Sequence, residues 1–363
     1  MAAEKTQKLA SLTLELVNIP SESRNEADIT QYVSQVIKPL GLTELQCKED
    51  YLLYITERDL SKPLVVLAGH LDTVPAQQNL PGSLEQETVN GLGASDMKGG
   101  IAVLVELARW ISMEKPVLSV DLAFLFFVRE ELPVIESPLP ELFALEPELT
   151  KADLAIVLEP TNNTIQVGCL GNLNATIRFH GEAAHSARPW TGENAIAIAI
   201  QNLPSLLEYN REEVLIDGLS FYEVLSLTQI SGGVADNVIP DLVECRVNYR
   251  FSPDFSATQA IEKLTTIVGN QTELEITSVS GGAPVASRNA LVKHLQIVGS
   301  LNIEPKQAWT PVAQFADAGI PAINFGPGDP VYAHKRNEQI AIASLGTSFE
   351  ILKKFITSPL KLG

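Results

Sequence analysis

Three stretches of this chain are apolar almost without interruption, and each runs into residues that carry chemistry. Residues 63–68 read PLVVLA and lead into Gly-His-Leu-Asp-Thr-Val-Pro. Residues 118–128 lead into Arg-Glu-Glu-Leu, and residues 153–158 read DLAIVL and end at Glu159. A short run without polar alternation is expected for a strand covered on both faces. Between these runs lie segments of helical spacing. Leu9, Leu12, Leu16 and Val17 line one side of residues 4–18, Asn25 stands where it would cap a helix reaching about Leu40, and 97–113 reads as a helix. Buried strands alternating with helices point to an α/β domain with a largely parallel central sheet.

The pattern changes after Gly168. Residues 173–180 alternate, 193–208 are helical, 222–230 are strand-like, 242–251 alternate again, 257–268 are helical and 273–279 form a last strand. That is β-α-β-β-α-β, the order of a ferredoxin-like α+β unit. Ser280–Pro284 reads as a return linker, followed by a helix, an apolar strand at 320–325, a glycine-rich loop and a C-terminal helix. The expectation is one domain made of 1–171 and 284–363, with 172–283 inserted as a second. A chain of 363 residues is long for a single core.

Lys and Arg total 26 against 44 Asp and Glu, a net charge of −18. Nucleic-acid binders need a basic footprint, so that class is set aside, as is an anionic membrane surface. Cys47, Cys169 and Cys245 are far apart and form no C-x-x-C pair. With no signal-like N-terminus and no membrane-length apolar run, the expected location is the cytoplasm.

His70 and Asp72 are two apart at a strand end, where one can bind a metal while the other accepts a hydrogen bond from its ring; such a pair can equally satisfy a loop. Asp96, after Gly91 and Gly93, stands where a carboxylate could bridge two metals. The third glycine of a dinucleotide fingerprint and any G-K-[ST] are missing, which speaks against nucleotide binding. Glu130 and Glu131 can divide metal binding and work on water between them, or mark a helix start. Glu159 also ends a strand, and His334 lies in Tyr-Ala-His-Lys. In open parallel sheets ligands sit beyond the carboxyl ends of the strands. His185 lies in Ala-Ala-His-Ser-Ala-Arg-Pro of the inserted segment, and His180 and His294 read as surface or structural histidines.

The ordered set GHLDTVP, GASDMKGG, REEL, LEP and AHK resembles the zinc-dependent aminoacylase and carboxypeptidase family of amidohydrolases, over nearly the whole chain. Residues 167–195 and 323–338 are most similar to its actinobacterial-type succinyl-diaminopimelate desuccinylase branch. The resemblance implies a dinuclear-zinc peptidase-like domain and an inserted dimerisation domain. His70, Asp96 and Glu159 would hold one zinc, and Asp96, Glu131 and His334 the other, with cobalt a possible substitute. It makes Glu130 the general base, lets Asp72 orient His70, and carries His185 into the partner subunit's site in a homodimer. Asn237 and Arg250 match positions that contact substrate, Arg250 its carboxylate, and Gly326 and Gly328 match the adjacent loop. The implied reaction is amide hydrolysis of N-succinyl-L,L-diaminopimelate in lysine and diaminopimelate biosynthesis. An acetylornithine-type deacetylase, another N-acyl-amino-acid hydrolase or a metallo-dipeptidase or carboxypeptidase is the alternative. One departure favours that alternative. Pro311 and Gln314 stand where related desuccinylases carry an acid and an arginine, and glutamine cannot make arginine's charged fork.

Overall fold

The computed structural model describes residues 2–209, 211–269 and 272–360. The chain divides into two compact units, Met1–Val167 with Ala286–Glu304 and Gln314–Gly363, and Gly168–Val285 with Pro305–Ala313. By sequence, residues 305–313 go with the larger domain. They pack instead with the smaller unit, because Trp309 Nε1 donates to Gly281 O (3.1 Å) and Gln307 bonds both Ser220 O (2.9 Å) and Tyr222 N (3.1 Å).

The larger unit is built on an eight-stranded sheet. Its middle strands, Asp121–Phe127, Leu64–His70, Leu154–Val157 and Ala322–Asn324, are parallel neighbours. Tyr51–Ile55 and Thr43–Cys47 extend one flank and Ile165–Val167 the other, by antiparallel pairing. Every residue of the Leu64–His70, Asp121–Phe127 and Leu154–Val157 strands is buried, as their unbroken apolar runs require. Helices Ala2–Val17, Gly99–Glu114, Ala290–Gly299 and Ile342–Thr357 pack on one another beside it. The α/β reading with a mostly parallel centre therefore holds. A small sheet of Ser83–Leu84, Thr88–Asn90 and Gln339–Ala341 has no counterpart in the sequence reading, since its strands are too short for a periodic signal.

The smaller unit is an antiparallel sheet in the order Glu212–Ile216, Leu219–Gly232, Leu242–Phe251, Gly171–His180, Glu273–Ser280. Without the short first strand this is the ferredoxin-like arrangement. Leu173, Ile177 and Phe179 alternate inward on one strand, Val243, Cys245 and Val247 on its neighbour, and helices Ala195–Leu207 and Ala257–Val268 close the core with Ala199, Leu203, Ala260 and Leu264. Asn194 caps the first helix and a Ser256–Gln259 capping box starts the second. Cys47, Cys169 and Cys245 are all free thiols. Among the described residues, no helix is long and apolar enough to cross a membrane.

Phe124 lies at the centre of the large sheet with no exposure. Phe124→Ala should destabilise the larger unit by about 3–5 kcal/mol, read as a lower urea midpoint. An unchanged midpoint would deny that this strand is core.

Candidate metal centre

The carboxyl ends of three parallel strands converge. The Leu64–His70 strand ends on His70, the Asp121–Phe127 strand is followed by Glu130 and Glu131, and the Leu154–Val157 strand by Glu159. Asp96 comes from the turn Ala94–Lys98 ahead of helix Gly99–Glu114, and the Asp96–Met97 peptide is cis. His334 comes from the loop after the Ala322–Asn324 strand.

The two oxygens of Asp96 face different histidines. Oδ1 is 3.2 Å from His70 Nε2, and Oδ2 is 3.4 Å from His334 Nε2. Glu159 Oε1 stands 3.8 Å from His70 Nε2, and Glu131 Oε1 stands 2.9 Å from His334 Nε2. His70, Asp96 and Glu131 each offer a ligand atom within 4.8 Å of the others.

The donor set fits metal ions. His70 Nδ1 lies 3.0 Å from the backbone oxygen of Asp72. A carbonyl only accepts, so Nδ1 carries the hydrogen and neutral His70 turns a bare Nε2 lone pair toward carboxylate oxygens. Two lone pairs do not face each other without a cation or a proton between them. The charge count says the same: Asp72, Asp96, Glu130, Glu131 and Glu159 surround two imidazoles, and His70, Asp72 and Glu159 are buried.

Without metal, protons take that place. Hydrogen bonds to Asp96 and Glu131 raise His334 to about 11. Burial disfavours charged His70, yet Asp72 and Asp96 hold it well above the ordinary histidine range. Burial pushes Glu130 well up, reinforced by the charge of Glu159, and raises Glu131. Burial opposes ionised Asp96, but bonds from His334 and His70 outweigh it and depress its pKa.

Asp72 does more than face His70. It accepts from the backbone N–H of Glu130 (3.0 Å) and Glu131 (3.1 Å) and from Ser23 Oγ (2.8 Å), so it also fixes the turn that presents both glutamates. Gly326 and Gly328 serve close packing. A Cβ on Gly326 would lie 2.4 Å from Leu158 O, and one on Gly328, whose φ is +88°, would lie 2.6 Å from Ser95 Oγ. They let the 323–329 segment lie against the strand end bearing Glu159 and the turn bearing Asp96.

Sequence reasoning missed Glu338, a buried carboxylate that accepts from the N–H groups of Gly93, Ser95 and Asp96. Burial raises it to about 7. Lys98, also buried, donates to Ile19 O (2.8 Å), and desolvation lowers it to about 7. A glycine turn with open N–H groups signals that an acceptor is needed, but not which distant residue supplies it.

The smaller unit carries the other candidates. His185 is exposed, and its Nδ1 accepts from Ala187 N (3.1 Å), which leaves Nε2–H as an outward donor. Asn237 sits beside it, its backbone oxygen accepting from Ser186 N (2.9 Å). Arg250 is half-buried, and its Nε donates to Asn248 Oδ1 (3.0 Å). Asn248 Nδ2 is held by Asn172 Oδ1 (2.7 Å) and Asn174 Oδ1 (2.8 Å), so the guanidinium is oriented from behind. His294 is structural, bonded to Phe355 O, while exposed His180 pairs with Glu273, an acid from the neighbouring strand.

The chain belongs to Peptidase family M20/M25/M40, whose sequence profile matches residues 66–358. It is a metallohydrolase of that family. A succinyl-diaminopimelate desuccinylase of Corynebacterium glutamicum is 36% identical over 353 residues, covering 95% of each chain. One from Psychromonas ingrahamii is 28% identical over 360 residues, covering 92% of this chain and 94% of the relative. The crystal structure of aminopeptidase PepT from Bacillus cereus has the same fold, with a TM-score of 0.79 over 98% of this chain and 99% of that one at 20% identity.

The metal-free protein should lose stability as pH rises. His334, raised to about 11, stabilises the fold fully below its unfolded value near 6.5 and loses that contribution as pH climbs through the folded value. Glu338, raised to about 7, adds a growing cost above its unfolded value of about 4.3. Lys98, lowered to about 7, works the other way from there up to its unfolded value of about 10.4, but His70, also held well above the ordinary histidine range, offsets it, and the depressed Asp96 would act only in acid, below about pH 4. Thermal melts in chelator should therefore show a midpoint falling between about pH 6 and pH 9, with zinc removing most of the fall. A midpoint rising over that interval would contradict the protonation scheme.

Proposed function

We propose that the protein hydrolyses the amide bond of an N-acyl amino acid at a two-zinc centre, with N-succinyl-L,L-diaminopimelate as substrate and succinate and L,L-diaminopimelate as products. The observation that carries this reading is the Asp96 carboxylate, which offers one oxygen toward each of two histidines, with Glu130 beside it. In the reading, His70, Asp96 and Glu159 hold one ion, and Asp96, Glu131 and His334 the other, with cobalt able to replace zinc. Zinc supplies Lewis acidity that brings a water's pKa toward neutrality.

The chain's own groups do the rest. Burial and the neighbouring acids hold the Glu130 carboxyl well above the ordinary range, and it would act as base once positive charge is bound beside it. It takes the proton of the attacking water and returns it to the leaving amine. Asp72 keeps the His70 ring in place and steadies the Glu130 turn. His185 Nε2–H, supplied by a second copy, donates to the oxyanion. Arg250 receives the substrate carboxylate on the fork that Asn248 orients, and Asn237 lies beside it as a further substrate contact.

A homodimer accounts for two surfaces of the smaller unit. Helix Ala195–Leu207 exposes Ile196, Ile200 and Leu207 (40%, 64% and 64%) on the side away from its own core. The Leu219–Gly232 strand pairs with Glu212–Ile216 only as far as Glu223, so its remaining edge is open among the described residues. An apolar helix face and an open strand edge are both surfaces that a second copy would cover. The free thiols favour a reducing cytoplasm as the place of action.

A second reading, cleavage of a different acyl amino acid or of a dipeptide, is favoured by Gln314. It is 6% exposed, and its Oε1 accepts from Ser137 Oγ (3.1 Å), so an uncharged group is held where the resemblance would put an arginine.

The deciding experiment is N-succinyl-L,L-diaminopimelate hydrolysis by metal-stripped protein as zinc is restored. Activity rising over two equivalents supports the first reading. Two bound zincs without turnover supports the second. Glu130→Gln should keep both metals and lower kcat on the order of 100- to 10,000-fold; full activity would remove Glu130 as base. Ile200→Glu should give a monomer by light scattering, with metal binding retained and activity lost. A dimer in that variant would discard this helix as the interface.

A further inference from the structure

The N–H groups of the Asp96 turn point to one place, and one side chain answers them. Glu338 Oε2 accepts from Gly93 N (2.9 Å), and Oε1 accepts from Ser95 N and Asp96 N (3.0 Å each). Successive N–H groups in a turn make a concave anion site, and here the chain supplies the anion. Glu338 is 2% exposed. It lies in the loop that carries His334, and its own backbone closes that loop and ties it to the approach to the turn. Its carbonyl accepts from Gly91 N (3.0 Å), and its N–H donates to Lys335 O (3.0 Å). The Gln339–Ala341 strand that follows pairs with Thr88–Asn90, which leads into the turn.

Asp96 depends on this support. Among the described residues its carboxylate contacts are the two histidines it faces, so its pose is set from the backbone side. A small rotation of the turn would move both contacts at once.

We propose that Glu338 is a positioning residue for the metal centre. By filling the three N–H groups it holds the Asp96 carboxylate at the spacing from His334 that lets it bridge two cations. The proposal rests on the two-metal reading above. Glu338 itself coordinates nothing. Glutamine there keeps the size and one acceptor but sets an amide NH2 against a backbone N–H, and aspartate keeps the charge with a shorter reach.

The test is titration of metal-stripped wild type, Glu338→Gln and Glu338→Asp with Co²⁺, followed by calorimetry and the visible cobalt spectrum, with circular dichroism of each metal-free protein as the check on folding. Wild type should bind two equivalents. The Gln variant should bind at least about tenfold more weakly with an altered spectrum, and the Asp variant should fall between. A loss of stability alone would leave the cobalt spectrum unchanged. Equal affinities and spectra across the three overturn the proposal while leaving the two-metal reading intact. A wild type that binds no cobalt overturns both. If the Gln variant does not fold, the Asp variant decides: weaker binding supports the proposal, and binding equal to wild type overturns it.

Discussion

Repulsion among carboxylates at the ends of parallel strands is the constraint on which the rest of the larger unit depends. Asp72, Asp96, Glu130, Glu131 and Glu159 gather around two imidazoles, and burial raises the cost of charge on the first four. Water reaches His334, but His70, Asp72 and Glu159 are buried, so it screens the group only in part. Positive charge has to enter, as protons on His70 and His334 or as metal ions in their place. A protein that keeps such a cluster buried carries a free-energy deficit in its metal-free form that cations remove, so metal binding and folding stability are linked.

The hydrogen bonds around the cluster follow from that. Asp72 joins the His70 strand end to the Glu130–Glu131 turn, and Glu338 joins the Asp96 turn to the His334 loop. Gly326 and Gly328 let a third segment approach without a side chain in the way. Groups that only hold ligands in place are as much a part of such a site as the ligands themselves.

The smaller unit obeys a different constraint. Its helix Ala195–Leu207 reads AIAIAIQNLPSLL, too apolar to need only one covered side, and the structure buries Ala199 and Leu203 while leaving Ile200 open. The asparagine cluster behind Arg250 shows the same economy of parts on a polar scale. Asn172 and Asn248 hold one another across adjacent strands, and Asn248 turns the guanidinium.

Much of this was legible in the sequence. Unbroken apolar runs marked the buried parallel strands, the change to alternation after Gly168 marked the second unit, and acids and histidines at strand ends marked the site. These signals are local, because burial on both faces or on one face sets composition residue by residue. The segment 305–313 was misplaced because its membership rests on hydrogen bonds from Trp309 and Gln307 to residues far away in the chain. Glu338 was invisible for the same reason. A turn can announce three open N–H groups, but the carboxylate that fills them is chosen by the path of the chain through space. Sequence by itself determined the buried strands, the longer helices and the chemical type of the site. Tertiary structure alone decided which oxygen faces which nitrogen and what holds it there, since those depend on distances between residues that no local pattern encodes.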